Sequence, residues 1–192
     1  GALDPDTNIL YLFSNMSYNS LGIIPGDPAV TYLPMMRGNA SAPGEPAGRA
    51  RLTVQGLQLF KPPYGQITAI DLNKGDIVWQ RPHGETPDEV KNHPMLQGLD
   101  IPPTGSIGKV GILLTDTLLI AGDGTPTTDE NGNLGAWLRA YDKLTGEEIG
   151  KVRMDTAVTG SPMTYMMEGY QYIVVPVSSP GISGRLAAFR LP

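Results

Sequence analysis

The amino-acid sequence predicts an all-β chain, a partial β-propeller of about three four-stranded antiparallel blades. Three observations carry that prediction. Glycine and proline supply 24 and 18 of the 192 residues, which suits a chain of many turns better than one of helices. A hairpin pattern repeats: Ala69-Ile70-Asp71, with Gly75 four residues on, returns as Ala140-Tyr141-Asp142 with Gly146, an offset of 71 (140 − 69). A shorter copy, Leu186-Ala187-Ala188-Phe189-Arg190, follows at an offset of 48 (188 − 140). Strand-like segments lie upstream of each hairpin, and units of about this length holding four strands are the mark of propeller blades. A β-sandwich of short strands is the alternative; the turn motif falling at the same point of each repeat favours the propeller.

In each hairpin the strand before the turn is apolar and β-branched or aromatic, as at residues 67–70 and 138–141. The Asp can bond nearby backbone N–H groups, and the Gly takes a left-handed conformation. With strands named A to D from the axis outwards, the first unit has B at 9–13, C at 67–70 and D at 77–80, with an insertion at about 20–60 between B and C. The middle unit is complete: A at 111–114, B at 118–121, C at 137–141 and D at 149–153. The last has A at 163–167, B at 170–175 and C at 184–190, and no D. The chain is therefore expected to be one partial propeller domain, 1–192, with blades at about 1–82, 105–155 and 156–192. Open strand edges invite pairing, so the expected partners are the remaining blades of a parent propeller or a second copy of the chain.

Composition removes several functions. A net charge of −5 without a Lys/Arg cluster argues against nucleic-acid binding. The absence of cysteine excludes disulfides, thiolate catalysis and Cys-ligated zinc. Two histidines cannot furnish a Ser/His/Asp or Cys/His constellation that the spacing would identify. No apolar run approaches the ~20 residues that span a bilayer, so no transmembrane segment is expected. The start carries no charged-then-apolar leader pattern.

Residues 61–80, Lys-Pro-Pro-Tyr-Gly-Gln-Ile-Thr-Ala-Ile-Asp-Leu-Asn-Lys-Gly-Asp-Ile-Val-Trp-Gln, resemble the quinoprotein (pyrroloquinoline quinone-dependent) dehydrogenases, in which an Ala-x-Asp-x-x-x-Gly-x-x-x-Trp motif recurs from blade to blade. Leu138–Asp142, Ser161–Tyr165, Gln171–Val175 and Ala187–Pro192 resemble that family's last blades, closest to its glucose dehydrogenase-like branch. The resemblance implies an eight-bladed parent, of which this chain is a C-terminal segment. It implies pyrroloquinoline quinone (PQQ) on the axis, with calcium possible, and an Asp base that takes a proton as hydride passes to the quinone. It also implies a sugar or alcohol substrate and a periplasmic or otherwise exported parent. The base, the calcium ligands and most quinone contacts are expected in earlier blades, so no metal site is assigned within this chain and the isolated chain is expected to be inactive.

In the family the motif Trp packs between blades and bonds to the neighbour; Trp79 fits and Gly150 stands where the second copy expects it. Ser178-Ser179-Pro180-Gly181 occupies a stretch where some members carry Trp or His, and Gly135 aligns with a polar Asp of the glucose branch. These departures suit the alternative, a cofactor-free propeller acting as a scaffold or protein-binding module. Three residues are assigned to cofactor binding. Lys109 stands just before a strand A, at the axial end, where its ammonium could meet a quinone carboxylate; the other reading is a solvated loop lysine. Ser178 and Ser179 follow strand B of the last blade and could donate hydrogen bonds; the other reading is turn serines.

The remaining features read as structural. Asp129-Glu130-Asn131-Gly132-Asn133 has the alternating oxygens of a calcium loop but lacks its sixth-position Gly and twelfth-position carboxylate, holding Leu134 and Ala140 there; it reads as a polar turn. His83 and His93 read as surface residues. Asp88, Glu89 and Lys91 read as a helical turn after Pro87. Residues 38–48 read as a loop rich in Ala, Gly and Pro. Tyr64, Trp79, Met163, Met166 and Met167 read as packing residues.

Overall fold

The computed structural model describes residues 1–20, 22–25, 29, 35–38, 50–51 and 53–191. They fall into two compact units, 17–61 and the remainder. The larger unit is almost entirely β. Strands β1 (Ala2–Asp4) and β2 (Ile9–Asn15) begin it. The smaller unit holds three two-stranded pieces: β3 (Asn19–Ser20) with β6 (Ala50–Arg51), β4 (Gly22–Pro25) with β5 (Met35–Gly38), and β7 (Thr53–Val54) with β8 (Leu57–Gln58). Within it, Tyr18 and Phe60 bring their rings to 3.9 Å. Most of the Ala/Gly/Pro loop expected at 38–48 lies outside the described residues.

The larger unit resumes with β9 (Gly65–Asp71) and β10 (Asp76–Pro82), which complete a sheet ordered β1-β2-β9-β10. A connecting segment follows, with the short helix α1 (Asp88–Lys91) and a 3-10 turn at Pro94–Leu96. The second sheet contains β11 (Ile112–Leu114), β12 (Leu118–Gly122), β13 (Thr127–Thr128), β14 (Leu134–Asp142) and β15 (Glu148–Met154). Its main path is β11-β12-β14-β15, with β13 paired to Leu134 and Gly135. The third sheet is β16 (Met163–Met167), β17 (Tyr170–Ser179) and β18 (Ile182–Arg190), in that order. In the three larger sheets every pairing is antiparallel and the main path follows chain order, with β3–β8 intervening between β2 and β9, the up-and-down wiring of blades.

Both faces of the middle sheet are buried, which is why β12 reads as a continuous apolar run and not an alternating one. Leu119 and Ala121 face the first sheet, packing with Ile112 and Tyr141 against Tyr11, Ile67, Ala69 and Trp79. Ile120 faces the other way, packing with Leu138 and Met154 against Val158, Ile173, Val175 and Val177. The sheets are thus stacked in series through two apolar cores. The second hairpin turn is held as expected: the Asp142 carboxylate accepts from the N–H groups of Leu144 and Thr145, and Gly146 has φ +69°.

Four expectations need correction. The first sheet has a strand A: β1 pairs Ala2, Leu3 and Asp4 with Tyr11, Leu10 and Ile9. Three residues are too few to display an alternation. Met163, Met166 and Met167 are not core; they are 54, 65 and 49 % exposed, because β16 is an edge strand and the core face is supplied by β17. His83 is not a surface residue but is 1 % exposed; His93 is half-buried and caps the 3-10 turn, its Nδ1 accepting from the Met95 N–H. Ser178 and Ser179 do not follow strand B but end it, β17 running on through both.

Candidate functional site

Two regions combine polar chemistry with the sheet framework. The first is the end of the sheets where β11 begins and β12 and β17 finish. Lys109 lies there in an exposed position before β11. Its backbone passes against Gly124, and a Cβ on Gly124 would stand 3.0 Å from both Lys109 N and Gly108 Cα. The Gly108–Gly124 pair therefore permits a backbone approach that no larger residue allows. Asn15 donates to the Gly108 carbonyl at 3.2 Å, and Thr125 donates its hydroxyl proton to the Ile107 carbonyl.

From Gly124 the same end continues to the third sheet. The Val158 N–H donates to the Asp123 carbonyl at 3.1 Å, and the Ser178 N–H donates to the Ala157 carbonyl at 3.1 Å. Ser178 and Ser179 are both half-buried. The Ser179 hydroxyl is hydrogen-bonded to the Thr156 hydroxyl and lies 3.4 Å from the Ala157 N–H. Lys109, Ser178 and Ser179 thus share one end of the stacked sheets. Lys109 is exposed, and the Ser179 hydroxyl is turned toward Thr156. Among the described residues, no group of three or more His, Cys, Asp or Glu side chains is placed to hold a metal ion. The Asp129 loop is a polar turn, its carboxylate accepting from the N–H groups of Asn131 and Asn133.

The second region is a buried charge network between the first and second sheets. Arg139, on β14 between Trp137 and Tyr141, faces the first sheet. Its Nε and one terminal nitrogen donate to both oxygens of Asp123, at 2.8 and 3.0 Å. The other donors reach Glu148 at 2.5 Å and Glu85 at 2.8 Å. The Asp123 side chain is fully buried and that of Arg139 nearly so. Burial on its own would lower the guanidinium pKa, but the Asp123 carboxylate and then Glu85 overturn this and raise it, so Arg139 is a permanent cation. Burial likewise opposes ionisation of Glu85, and the bonds to Arg139 and the nearby Lys151 and Lys91 still hold it below the usual carboxylate range.

His83 completes the network. Its Nδ1 lies 2.8 Å from the Tyr141 hydroxyl and its Nε2 3.3 Å from the Gly122 carbonyl. A carbonyl only accepts, so Nε2 carries the proton; Nδ1 then accepts from the Tyr141 O–H. Burial depresses the imidazole pKa, against the opposing pull of Asp123, and so favours this neutral form. Burial also pushes the Tyr141 pKa up. Every charge here is paired or hydrogen-bonded, as a dry interior requires.

A third set of contacts locks the first two sheets. The Trp79 indole N–H and the Tyr11 hydroxyl both donate to the Lys143 carbonyl, each at 3.1 Å. The Lys143 ammonium pairs with the buried Asp4 carboxylate at 2.8 Å, and that bond, ahead of burial, holds Asp4 below its ordinary pKa. The Trp79 ring lies over Gly146, where a Cβ would come within 2.6 Å of it. An indole wedged between successive four-stranded sheets and bonded to the next hairpin turn is the arrangement expected of the repeating motif. Residues 1–173 match the family model for the β-propeller domain of glucose/ethanol/alcohol dehydrogenases that is labelled PQQ.

The chain belongs to this PQQ β-propeller family. It is similar to a probable quinate dehydrogenase (quinone) of Xanthomonas campestris pv. juglandis, 32 % identical over 148 residues, covering 73 % of this chain and 17 % of that protein. It is also similar to quinoprotein glucose dehydrogenase A of Acinetobacter calcoaceticus, at 26 % identity, covering 74 % and 17 %. A third relative is the glycerol dehydrogenase large subunit of Gluconobacter thailandicus, at 28 % identity, covering 94 % and 25 %. Among solved structures, the quinohemoprotein alcohol dehydrogenase from Comamonas testosteroni superposes with a TM-score of 0.52 at 20 % identity, over 92 % of this chain and 21 % of that one. That likeness establishes the propeller fold. The chain spans 17 to 25 % of the length of the three curated relatives named. Membership bears out the resemblance to PQQ-dependent, glucose dehydrogenase-like proteins.

The Asp123–Arg139–Glu85–Glu148 network and His83 were not legible as a cluster from the sequence. One signal existed: Arg139 falls at an inward-facing position of a strand, between Trp137 and Tyr141, and an inward charge demands a partner. Glu85 and His83, more than fifty residues upstream, cannot be paired with it from spacing.

Proposed function

We propose that this chain forms late blades of a PQQ-dependent dehydrogenase that oxidises a sugar, polyol or alcohol. The blades lie at about 1–82, 105–155 and 156–192, and the parent is exported to the periplasm. The family match over residues 1–173 is the observation that supports this reading. When bound, the quinone supplies the two-electron acceptor, chemistry that protein side chains do not provide. The part assigned to this chain is binding and orientation. Lys109 places a positive charge at the axial end of the sheets, where it neutralises a cofactor carboxylate. Ser178, half-buried at the end of β17, offers a hydroxyl at the same end of the sheets, and Ser179 holds the end of that strand through Thr156. The Arg139 network and the Trp79 lock keep neighbouring sheets in register, so that groups from different blades converge on the axis. Calcium, if used, is assigned to ligands outside this chain.

The test uses the full-length protein. PQQ and Ca²⁺ are added, and dye-linked oxidation of glucose, glycerol, quinate and simple alcohols is followed. Saturable cofactor uptake with turnover of one class is expected; neither uptake nor turnover on any of them would sink the reading. The isolated 192-residue chain is expected to reduce no dye. One observation favours a second reading, a cofactor-free scaffold: the Ser179 hydroxyl is turned to Thr156. Failure of uptake together with an intact fold would establish that alternative.

A further inference from the structure

The hairpins β9–β10 and β14–β15 share one register and one bulge beside their turns. In the first, Trp79 pairs with Ala69 and Ile77 with Ile70, leaving Val78 bulged. In the second, Gly150 pairs with Ala140 and Glu148 with Tyr141, leaving Ile149 bulged. Gly150 therefore occupies the Trp79 position in three respects: the offset of 71, the Ala opposite, and the bulge before it. Nothing local demands glycine there. Gly150 is absent from the left-handed backbone positions, and a Cβ built on it would meet no atom within 4 Å.

Beside Gly150, between the second and third sheets, is a cavity of about 790 Å³, within the roughly 300–1,000 Å³ range of small-molecule sites. Its walls are predominantly apolar, formed by Leu118, Ile120, Leu138, Ile173, Phe189 and Leu191. Thr117, Lys151 and Gln171 lie at its polar side. At the preceding interface the corresponding strand position carries the Trp79 indole, 8 % exposed, with its N–H on the Lys143 carbonyl. By the offset of 48, the counterpart of Lys143 is Leu191 (191 − 143), which lines the cavity.

We propose that this cavity is a binding site for a free aromatic heterocycle of the indole class. The occupant's chemistry follows from the neighbouring interface, where the same sheet geometry is filled by an indole carried on the chain. A planar apolar ring covers the aliphatic walls and the Phe189 ring, and one ring N–H is presented to the backbone at Leu191. A planar ring gains by removing these apolar walls from water and by the dispersion contacts it makes with them. The site lies away from Lys109 and Ser178, at the sheet end where β11 turns into β12, and does not depend on the dehydrogenase reading.

The test is a titration of the 192-residue chain with indole, followed by thermal unfolding and by the NMR resonances of Ile173 and Phe189, with myo-inositol as a polar control. Saturable binding is expected with a dissociation constant on the order of a millimolar or below. Shifts should be confined to the cavity walls, the unfolding midpoint should rise by about 2–4 °C, and myo-inositol should have no effect. Gly150→Trp should fill the site from the chain and abolish indole binding. Gly150→Leu, a smaller change at the same mouth, should weaken binding at least fivefold. Absence of saturable binding, binding that leaves Ile173 and Phe189 unmoved, or unchanged affinity in either folded variant would overturn the proposal.

Discussion

Replacing Arg139 with Met tests whether the buried network holds the first two sheets together. The substitution keeps most of the side-chain volume and removes the charge. Asp123, whose side chain is fully buried, would lose both of its hydrogen bonds to the guanidinium. The nearest remaining cationic candidate is His83 Nε2, 3.9 Å away, whose proton is committed to the Gly122 carbonyl. Glu148 and Glu85 are partly exposed and can turn to water. Breaking a buried pair on one side costs about 3–5 kcal/mol. At roughly 2–4 °C per kcal/mol for a chain of this size, the unfolding midpoint should fall by about 6–20 °C. Removing the stranded carboxylate as well, in Arg139→Met with Asp123→Leu, should recover most of that loss, because the dominant penalty is the uncompensated charge. The assay is urea and thermal unfolding of the four members of the double-mutant cycle. A single Arg139→Met variant within about 1 kcal/mol of wild type, or a double variant no more stable than the single, would refute the reasoning.

Further outcomes follow from other contacts. His83 has a depressed folded pKa, so the unfolded chain binds the proton more readily. Its contribution is present above the unfolded value near 6.5 and is lost as pH falls toward the folded value, by at most about 1.4 kcal/mol per pH unit. His83→Gln should flatten that part of the stability–pH curve, and an unchanged slope below pH 6.5 would count against a neutral buried imidazole. Trp79→Ala should cost about 3–5 kcal/mol in unfolding experiments, and the more conservative Trp79→Phe less. Gly146→Ala should cost more than 1 kcal/mol, since the residue has φ +69° and its Cβ would sit 2.6 Å from the Trp79 ring; a neutral result would mean that the turn and the indole move apart freely. In the full-length protein, Lys109→Ala should weaken PQQ uptake at least tenfold while Ser179→Ala changes it little, a contrast that equilibrium titration would read directly.

Strand positions and the repeat were legible in the sequence because they rest on local physics. An Asp that caps its own turn, a Gly in the left-handed region and β-branched flanks act within a few residues, so Ala69, Asp71 and Gly75 announce their counterparts at 140, 142 and 146. The family could be recognised for the same reason: its motif is short and contiguous. Burial was less accessible. Met163, Met166 and Met167 are apolar enough for a core, yet an edge strand faces them outward. Three-residue β1 is too short to leave a pattern. The polar interior is a matter of tertiary structure alone. His83, Glu85, Asp123 and Arg139 are separated by 2 to 56 residues along the chain and meet only because one sheet stacks on the next. The vacancy at Gly150 combines both levels. The sequence determined that a glycine replaces the expected Trp; the stacking of the second and third sheets decided that the replacement leaves an apolar cavity, because only packed neighbours can turn a missing side chain into a space.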